Sequence, residues 1–199
     1  MTSARPAPVF LNELGIACAL GRDADEVSAA LFAADAPGGV AMTDAITGQP
    51  TSLGMAPGEL PALDAWPVEW RGRNNALLML ALAPLRAPVA AAIDRFGADR
   101  VAVVLGSSTS GVGESEAAHR HALAHGGWPD GFHYRQQEMG APAQFVAREL
   151  GLRGPAHVIS TACSSSAKAM ASAARLLNAG LADAVVSGGA DSLCRFTVA

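Results

Sequence analysis

The sequence predicts an α/β domain, a mostly parallel mixed sheet flanked by helices, and three stretches carry that expectation. Val101–Leu105 is an unbroken apolar run of the kind that forms a central strand buried on both faces. His157–Ser160 and Ala184–Ser187 are two more short runs, apolar and rich in β-branched residues. Between them, Cys163 to Asn178 is dense in Ala, Met, Leu, Lys and Arg, which favour helix, and Asn178-Ala179-Gly180 supplies a stop. Strands separated by helix-length segments need crossovers and therefore pair in parallel.

The remaining elements follow in chain order. Pro8–Ala19 is apolar apart from Asn12-Glu13 and reads as a strand or hairpin that closes at Leu20-Gly21. Asp23 or Asp25 can cap a short helix running to Ala34, because a carboxylate accepts from the free N–H groups of a first turn. Asp35–Pro67 is rich in Pro, Gly, Thr and Asp without a lasting period, and reads as a long connection containing short strands. Arg71–Arg95 is the longest helical pattern; Pro84 and Pro88 should kink or divide it, and Gly97 ends it. Gly106–Gly113 is a loop of small residues, Glu114–Ala124 a helix and Gly126–Tyr134 an irregular loop. Ala141–Leu150 is a further helix, with Pro142 in its first turn and Gly151 at its stop.

Composition narrows the classes of function. Half of the 199 residues are hydrophobic, so the chain can bury a substantial core and disorder is not expected. A net charge of −4 with a pI near 5.7 argues against a general nucleic-acid binder. The three cysteines, Cys18, Cys163 and Cys194, are far apart and odd in number. They offer neither metal-ligand spacing nor a disulfide framework, which fits a reducing compartment. There is no signal-peptide pattern and no long uncharged span, so a cytoplasmic protein that does not cross a membrane is expected.

Cys163 is placed where a strand passes into a helix. Free N–H groups and the positive end of the helix dipole at such a junction stabilise a thiolate, and also the oxyanion formed from an acyl carbonyl. The small neighbours Ala162 and Ser164–Ser166 would let a substrate carbonyl approach the backbone. These residues alone leave two readings open, a nucleophile or a buried structural thiol.

Other groups read more plainly. Gly106–Gly113 lacks the lysine of a phosphate-cradling loop and the spacing of a dinucleotide fingerprint. His119, His121 and His125 have no carboxylate at ligand spacing beyond Glu114 and Glu116, and read as a solvated face rather than a metal site. His157 reads as a structural residue, Lys168 and Arg175 as helix-surface charges, and Asp183 and Asp191 as turn residues. Cys18 and Cys194 read as buried thiols.

Thr161-Ala162-Cys163-Ser164-Ser165-Ser166, followed by Ser187-Gly188-Gly189-Ala190-Asp191, resembles the nucleophile region of the β-ketoacyl-ACP synthases, the condensing enzymes of fatty-acid and polyketide synthesis. The likeness extends to Gly106-Ser107-Ser108-Thr109-Ser110-Gly111 and, loosely, to Leu14-Gly15-Ile16 and Leu20-Gly21. The resemblance implies that residues 1–199 are the N-terminal half of a thiolase-like fold, in which two such halves stack as αβαβα layers. It implies Cys163 as the nucleophile, with Thr161 and Ala162 beside it and Ser108 and Thr109 lining the acyl pocket. Thr109 falls where some relatives carry a branched aliphatic residue, which puts the usual saturated-chain preference in question. Arg71 and Arg73 match, loosely, a region that docks the acidic carrier protein.

The implied reaction consumes acyl and malonyl thioesters of acyl carrier protein, needs no cofactor, and runs in a homodimer or a synthase heterodimer. Its products belong to fatty-acid, polyketide or polyene synthesis. Its decarboxylation step uses two histidines and a lysine, and a Gly-Phe loop gives the other oxyanion donor. The resemblance places all of these in the second half of the fold, after residue 199, and none of the five histidines here sits in a matching motif. The 199 residues alone are therefore expected not to condense, and the end of the chain soon after a core strand reads as truncation. The alternatives are a thiolase or starter-unit condensing enzyme, whose nucleophile flanks differ, and a non-catalytic chain-length-factor-like subunit, which typically lacks the cysteine. Outside the family stands an α/β binding module with a buried cysteine.

Overall fold

The computed structural model describes residues 7–35 and 38–198. Helix α1 (Ala24–Leu31) is capped by Asp23, whose side chain accepts from the Glu26 N–H, so of the two candidate caps Asp23 is the one used. Strands β1 (Val40–Thr43) and β2 (Thr51–Gly54) pair antiparallel inside the stretch expected to hold short strands. Helices α2 (Arg73–Leu82) and α3 (Arg86–Phe96) are separated by a 3-10 turn at Ala83–Leu85. Pro84 makes that division. Pro88 lies in the first turn of α3, where a missing N–H leaves no bond unmade.

Strand β3 (Val101–Gly106) leads to α4 (Val112–His125) and α5 (Ala141–Glu149), then β4 (Ala156–Ile159), α6 (Ser165–Asn178), β5 (Ala184–Gly189) and the short α7 (Arg195–Val198). The three strands form a parallel sheet in the order β4-β3-β5. β3 is central and buried along its whole length, as its unbroken apolar run requires. Its side chains alternate between two helix layers. Val101, Val103 and Leu105 share a core with Leu78 and Leu82 of α2 and Phe145 and Val146 of α5, whereas Val104 meets Ala169 and Ala173 of α6. Trp66 and Trp70 close the larger core over the Phe145 ring, with centroids 4.8 and 6.4 Å away.

The stretch Arg73–Phe96 is long and apolar enough, at a mean hydropathy of 1.9, to cross a bilayer by length and composition alone. Here Ala76, Leu78 and Leu82 are buried in the larger core, and Leu85, Val89, Ala92 and Ile93 pack against it. Arg86, midway along, pairs with Glu149 of α5.

Three expectations change. Residues 7–17 form no strand; the chain makes only an isolated bridge between Cys18 and Gly21, and Phe10, Leu11 and Leu14 stand exposed. An apolar run becomes a strand only where a neighbour's backbone groups meet it. This segment instead runs beside α2, where a Cβ at Gly15 would lie 1.9 Å from the Ala81 carbonyl oxygen. Cys18 is half-buried rather than buried. Finally, α6 begins at Ser165, not at Cys163.

Candidate functional site

β3 and β5 run in register to their last residues, Gly106 opposite Gly189, so the segments that follow both emerge at one end of the sheet. The first turn of α6 sits on that end. A Cβ at Gly106 would lie 2.5 Å from the backbone of Ser165 and Ser166, and one at Gly189 would lie 2.2 Å from Ser166 Oγ. Both strands must end in glycine for the helix to seat there.

Between β4 and α6 the chain makes a tight turn in which Ala162 adopts a left-handed φ of 52°. That conformation costs a residue with a Cβ about 1–2 kcal/mol, and persists only where its surroundings hold it. The Ser164 N–H (3.4 Å) and hydroxyl (2.9 Å) both donate to the Thr161 carbonyl, and the Ser165 N–H donates to the Ala162 carbonyl (3.1 Å). Helical geometry can start only after a left-handed residue, which is why Cys163 lies ahead of the N-cap, Ser164, instead of opening the helix. Its thiol is exposed, and the buried-thiol reading does not hold for it. Ser164 makes no side-chain cap bond, since its hydroxyl is turned back to Thr161. Among the described residues, the N–H groups of Cys163, Ser166 and Ala167 consequently have no hydrogen-bond acceptor. The arrangement sets an exposed thiol beside free backbone donors at a helix N-terminus.

The loop after β3 is tied to the end of β5 by Asp191. One carboxylate oxygen accepts from the Ser108 N–H (2.7 Å), the Thr109 N–H (3.0 Å), the Thr109 hydroxyl (3.0 Å) and the Ser107 hydroxyl (3.2 Å). The Thr109 hydroxyl also accepts from the Ser192 N–H at 3.1 Å, so both of its roles are used inside the protein. Ser110 is the second left-handed residue with a side chain (φ 42°); its N–H donates to Ser107 Oγ (2.9 Å) and its hydroxyl to the Glu138 carbonyl (2.9 Å). Ser108 Oγ lies 3.4 Å from Ser165 Oγ, which joins this loop to the Cys163 turn.

Ser108, Thr109, Thr161, Ala162 and Cys163 are thus brought together, and Arg71 and Arg73 stand outside that network. The Arg71 guanidinium donates to the carbonyls of Trp66 (2.7 Å) and Asp64 (2.9 Å), holding its own loop. The Arg73 N–H donates to Glu114 (2.6 Å), while its side chain is exposed and makes no ion pair among the described residues. Asp183 is a turn residue paired with Arg100 at 2.7 Å; that hydrogen bond holds the Asp183 carboxyl below the ordinary carboxylate range and pushes Arg100 up. The sequence reading missed Asp191 and Ser165. The signal for Asp191 was available: residues just past two neighbouring parallel strands share one end of a sheet, where open α/β sheets place their sites. Ser165 carries no comparable signal, since its role depends on the turn.

An open depression of about 410 Å³ lies elsewhere, between α4 and α7, with His119, Arg120 and Arg195 on its walls. The His121 and His125 rings lie 4.5 Å apart, tilted by 48°, and His119 packs edge-on to Trp128 at 4.8 Å. Among the described residues, no three His, Cys, Asp or Glu side chains cluster in a way that could hold a metal ion.

Residues 88–198, more than half of the chain, match the family model described as beta-ketoacyl synthase, N-terminal domain. The chain is 28% identical over 193 residues to nodulation protein E of Rhizobium sp. (strain N33), covering 96% of this chain and 48% of that protein. It is 49% identical over 49 residues to 3-oxoacyl-[acyl-carrier-protein] synthase 2 of Rhizobium meliloti (strain 1021), covering 24% of this chain and 12% of that one. It superposes with a TM-score of 0.85 and 40% identity on the structure of a ketosynthase in complex with its chain length factor from Xenorhabdus doucetiae, covering 94% of this chain and 48% of that one. The chain therefore spans about half the length of the relatives that it matches from end to end. Its mixed α/β architecture is that of the thiolase-like ketosynthases, and the chain belongs to the β-ketoacyl synthase family, whose N-terminal domain it carries.

Proposed function

We propose that residues 1–199 form the nucleophile-bearing domain of a β-ketoacyl-ACP synthase and that Cys163 is its acyl acceptor. The observation that carries this reading is the exposed Cys163 thiol beside the N–H groups of Cys163, Ser166 and Ala167, which have no acceptor among the described residues, at the sheet end where Gly106 and Gly189 seat α6. The thiolate attacks the carbonyl of an acyl thioester on acyl carrier protein, and the backbone donors stabilise the oxyanion. The carbon–sulfur bond to the carrier breaks, leaving an acyl-enzyme and a free carrier thiol. In the second step malonyl thioester loses carbon dioxide, its carbanion attacks the acyl-enzyme carbonyl, and the Cys163 thiolate leaves. The donors for that second step come from outside these residues, so this chain alone does not condense.

The reading extends to partners. Similarity to a ketosynthase solved with its chain length factor supports a synthase-type heterodimer as one assembly, with a homodimer as the other. Arg73, exposed and unpaired among the described residues, is the better candidate of the two arginines for an acidic carrier, because Arg71 is committed to its own loop. A fatty-acid, polyketide or polyene pathway in the cytoplasm completes the proposal.

The test uses the full-length protein with acyl and malonyl thioesters of acyl carrier protein. Cys163→Ala should abolish condensation while carbon-dioxide release from malonyl thioester persists, since the groups for decarboxylation are untouched. Condensation at an undiminished rate in Cys163→Ala would remove Cys163 from the reaction.

A further inference from the structure

We infer that Ser165 is the positioning residue for the Cys163 nucleophile and its oxyanion donor, an assignment that rests on the acyl-transfer reading above. Ser165 is 3% exposed and follows Cys163 by one intervening residue. Its hydroxyl donates to the Ala162 carbonyl at 2.7 Å and accepts from the Thr161 N–H at 2.9 Å. With its single hydrogen committed, it can only accept from Ser108 Oγ at 3.4 Å. One side chain therefore holds the left-handed residue from both sides, by the N–H before it and by its own carbonyl.

The consequence reaches Cys163 through peptide geometry. The Ala162–Cys163 peptide is planar and trans, so its C=O and N–H point in opposite directions. Drawing the Ala162 carbonyl inward onto Ser165 turns the Cys163 N–H outward, away from the protein, where an acyl oxyanion can meet it. Ser165 itself has no room to shift, because the backbone of Gly106 lies close against the Ser165–Ser166 backbone. Ser108, the neighbour of Ser165, is held in turn by its N–H bond to Asp191 at 2.7 Å. The loop after β3 and the nucleophile turn thus act as one unit, with Ser165 at their junction.

The experiment compares full-length wild-type protein with Ser165→Ala and Ser165→Thr. It records single-turnover acylation by an acyl N-acetylcysteamine thioester, alkylation by iodoacetamide, and the thermal midpoint. Loss of one oxyanion donor slows an enzyme about 10²–10³-fold, so a misdirected donor in Ser165→Ala should slow acylation about ten-fold or more. Alkylation develops no oxyanion and should stay within about three-fold of wild type, and Ser165→Thr, which restores the hydroxyl, should recover acylation. Wild-type acylation in Ser165→Ala, an equal loss of acylation and alkylation, or failure of Ser165→Thr to recover would each overturn the assignment. A wild-type protein that forms no acyl adduct would instead refute the acyl-transfer reading. The hold of Ser165 on the turn is then decided by the crystal structure of Ser165→Ala. There Ala162 should leave positive φ, and an unchanged Ala162 would overturn the inference.

Discussion

The sheet end around Cys163 and the segment ahead of residue 68 differ in how their polar and apolar groups are met. At the sheet end, residues 107–110 and 161–165 are tied by Asp191, Ser165 and each other through bonds of 2.7 to 3.4 Å. In the earlier segment Phe10, Leu11, Val40 and Met42 are 75, 83, 68 and 67% exposed, and the one sheet is a two-stranded hairpin. The earlier segment converts only part of its apolar content into burial: Leu63 and Trp66 reach the larger core, whereas Phe10, Leu11, Val40 and Met42 do not. Composition says what a segment is able to bury; the partner that meets it decides whether it does.

Substitution can break that contrast, and the largest effect should come from the core under the sheet. Phe145 is fully buried between Trp66, Trp70 and β3, so Phe145→Ala should destabilise the fold by about 3–5 kcal/mol. Leu11→Ser, at an 83% exposed position, should stay within about 0.5 kcal/mol. Urea unfolding of both variants measures the difference, and equal losses would show that the earlier segment is as well packed as the core.

Asp191 comes next. Asp191→Ala leaves four donors of residues 107–109 without their acceptor and should cost about 1.5–3 kcal/mol, the range for hydrogen bonds to a charged group. Asp191→Asn keeps the oxygen and should fall between that variant and wild type. The same urea series orders the three proteins, and an Ala variant as stable as wild type would remove Asp191 from the account.

Much of this was legible from local pattern. The continuous run of β3, Asp23 as a cap, Pro84 as a break, and Pro142 and Gly151 bounding α5 all act on their own neighbours, so sequence carries them. The place of Cys163 between β4 and α6 was also legible, from its flanks. The two-residue displacement of the α6 start was not, because it follows from left-handed Ala162, and alanine gives no sign of that conformation. The failed strand at Pro8–Ala19 is the complementary case, a correct local pattern whose partner the pattern does not specify.

The smallest effect belongs to the ion pair that fastens the α6–β5 turn to the start of β3. The Arg100 hydrogen bond depresses the Asp183 carboxyl, so its contribution is complete above the ordinary carboxylate range and is lost as pH falls through the lower folded value. Arg100, pushed up, stays charged throughout. Asp183→Asn should lower the thermal midpoint slightly at neutral pH, and the gap to wild type should close in acid. A gap that persists unchanged in acid would mean that the pair's charge is not what stabilises the turn.

The central claim, that the exposed and backbone-framed thiol at the sheet end is the reactive one, is tested most directly by peptide mapping. Full-length protein is treated with an acyl thioester, digested, and the peptides that carry Cys18, Cys163 and Cys194 are weighed. The account predicts one acyl group, on Cys163, with half-buried Cys18 and buried Cys194 unmodified. An acyl group on any other residue, with Cys163 unmodified, would contradict it.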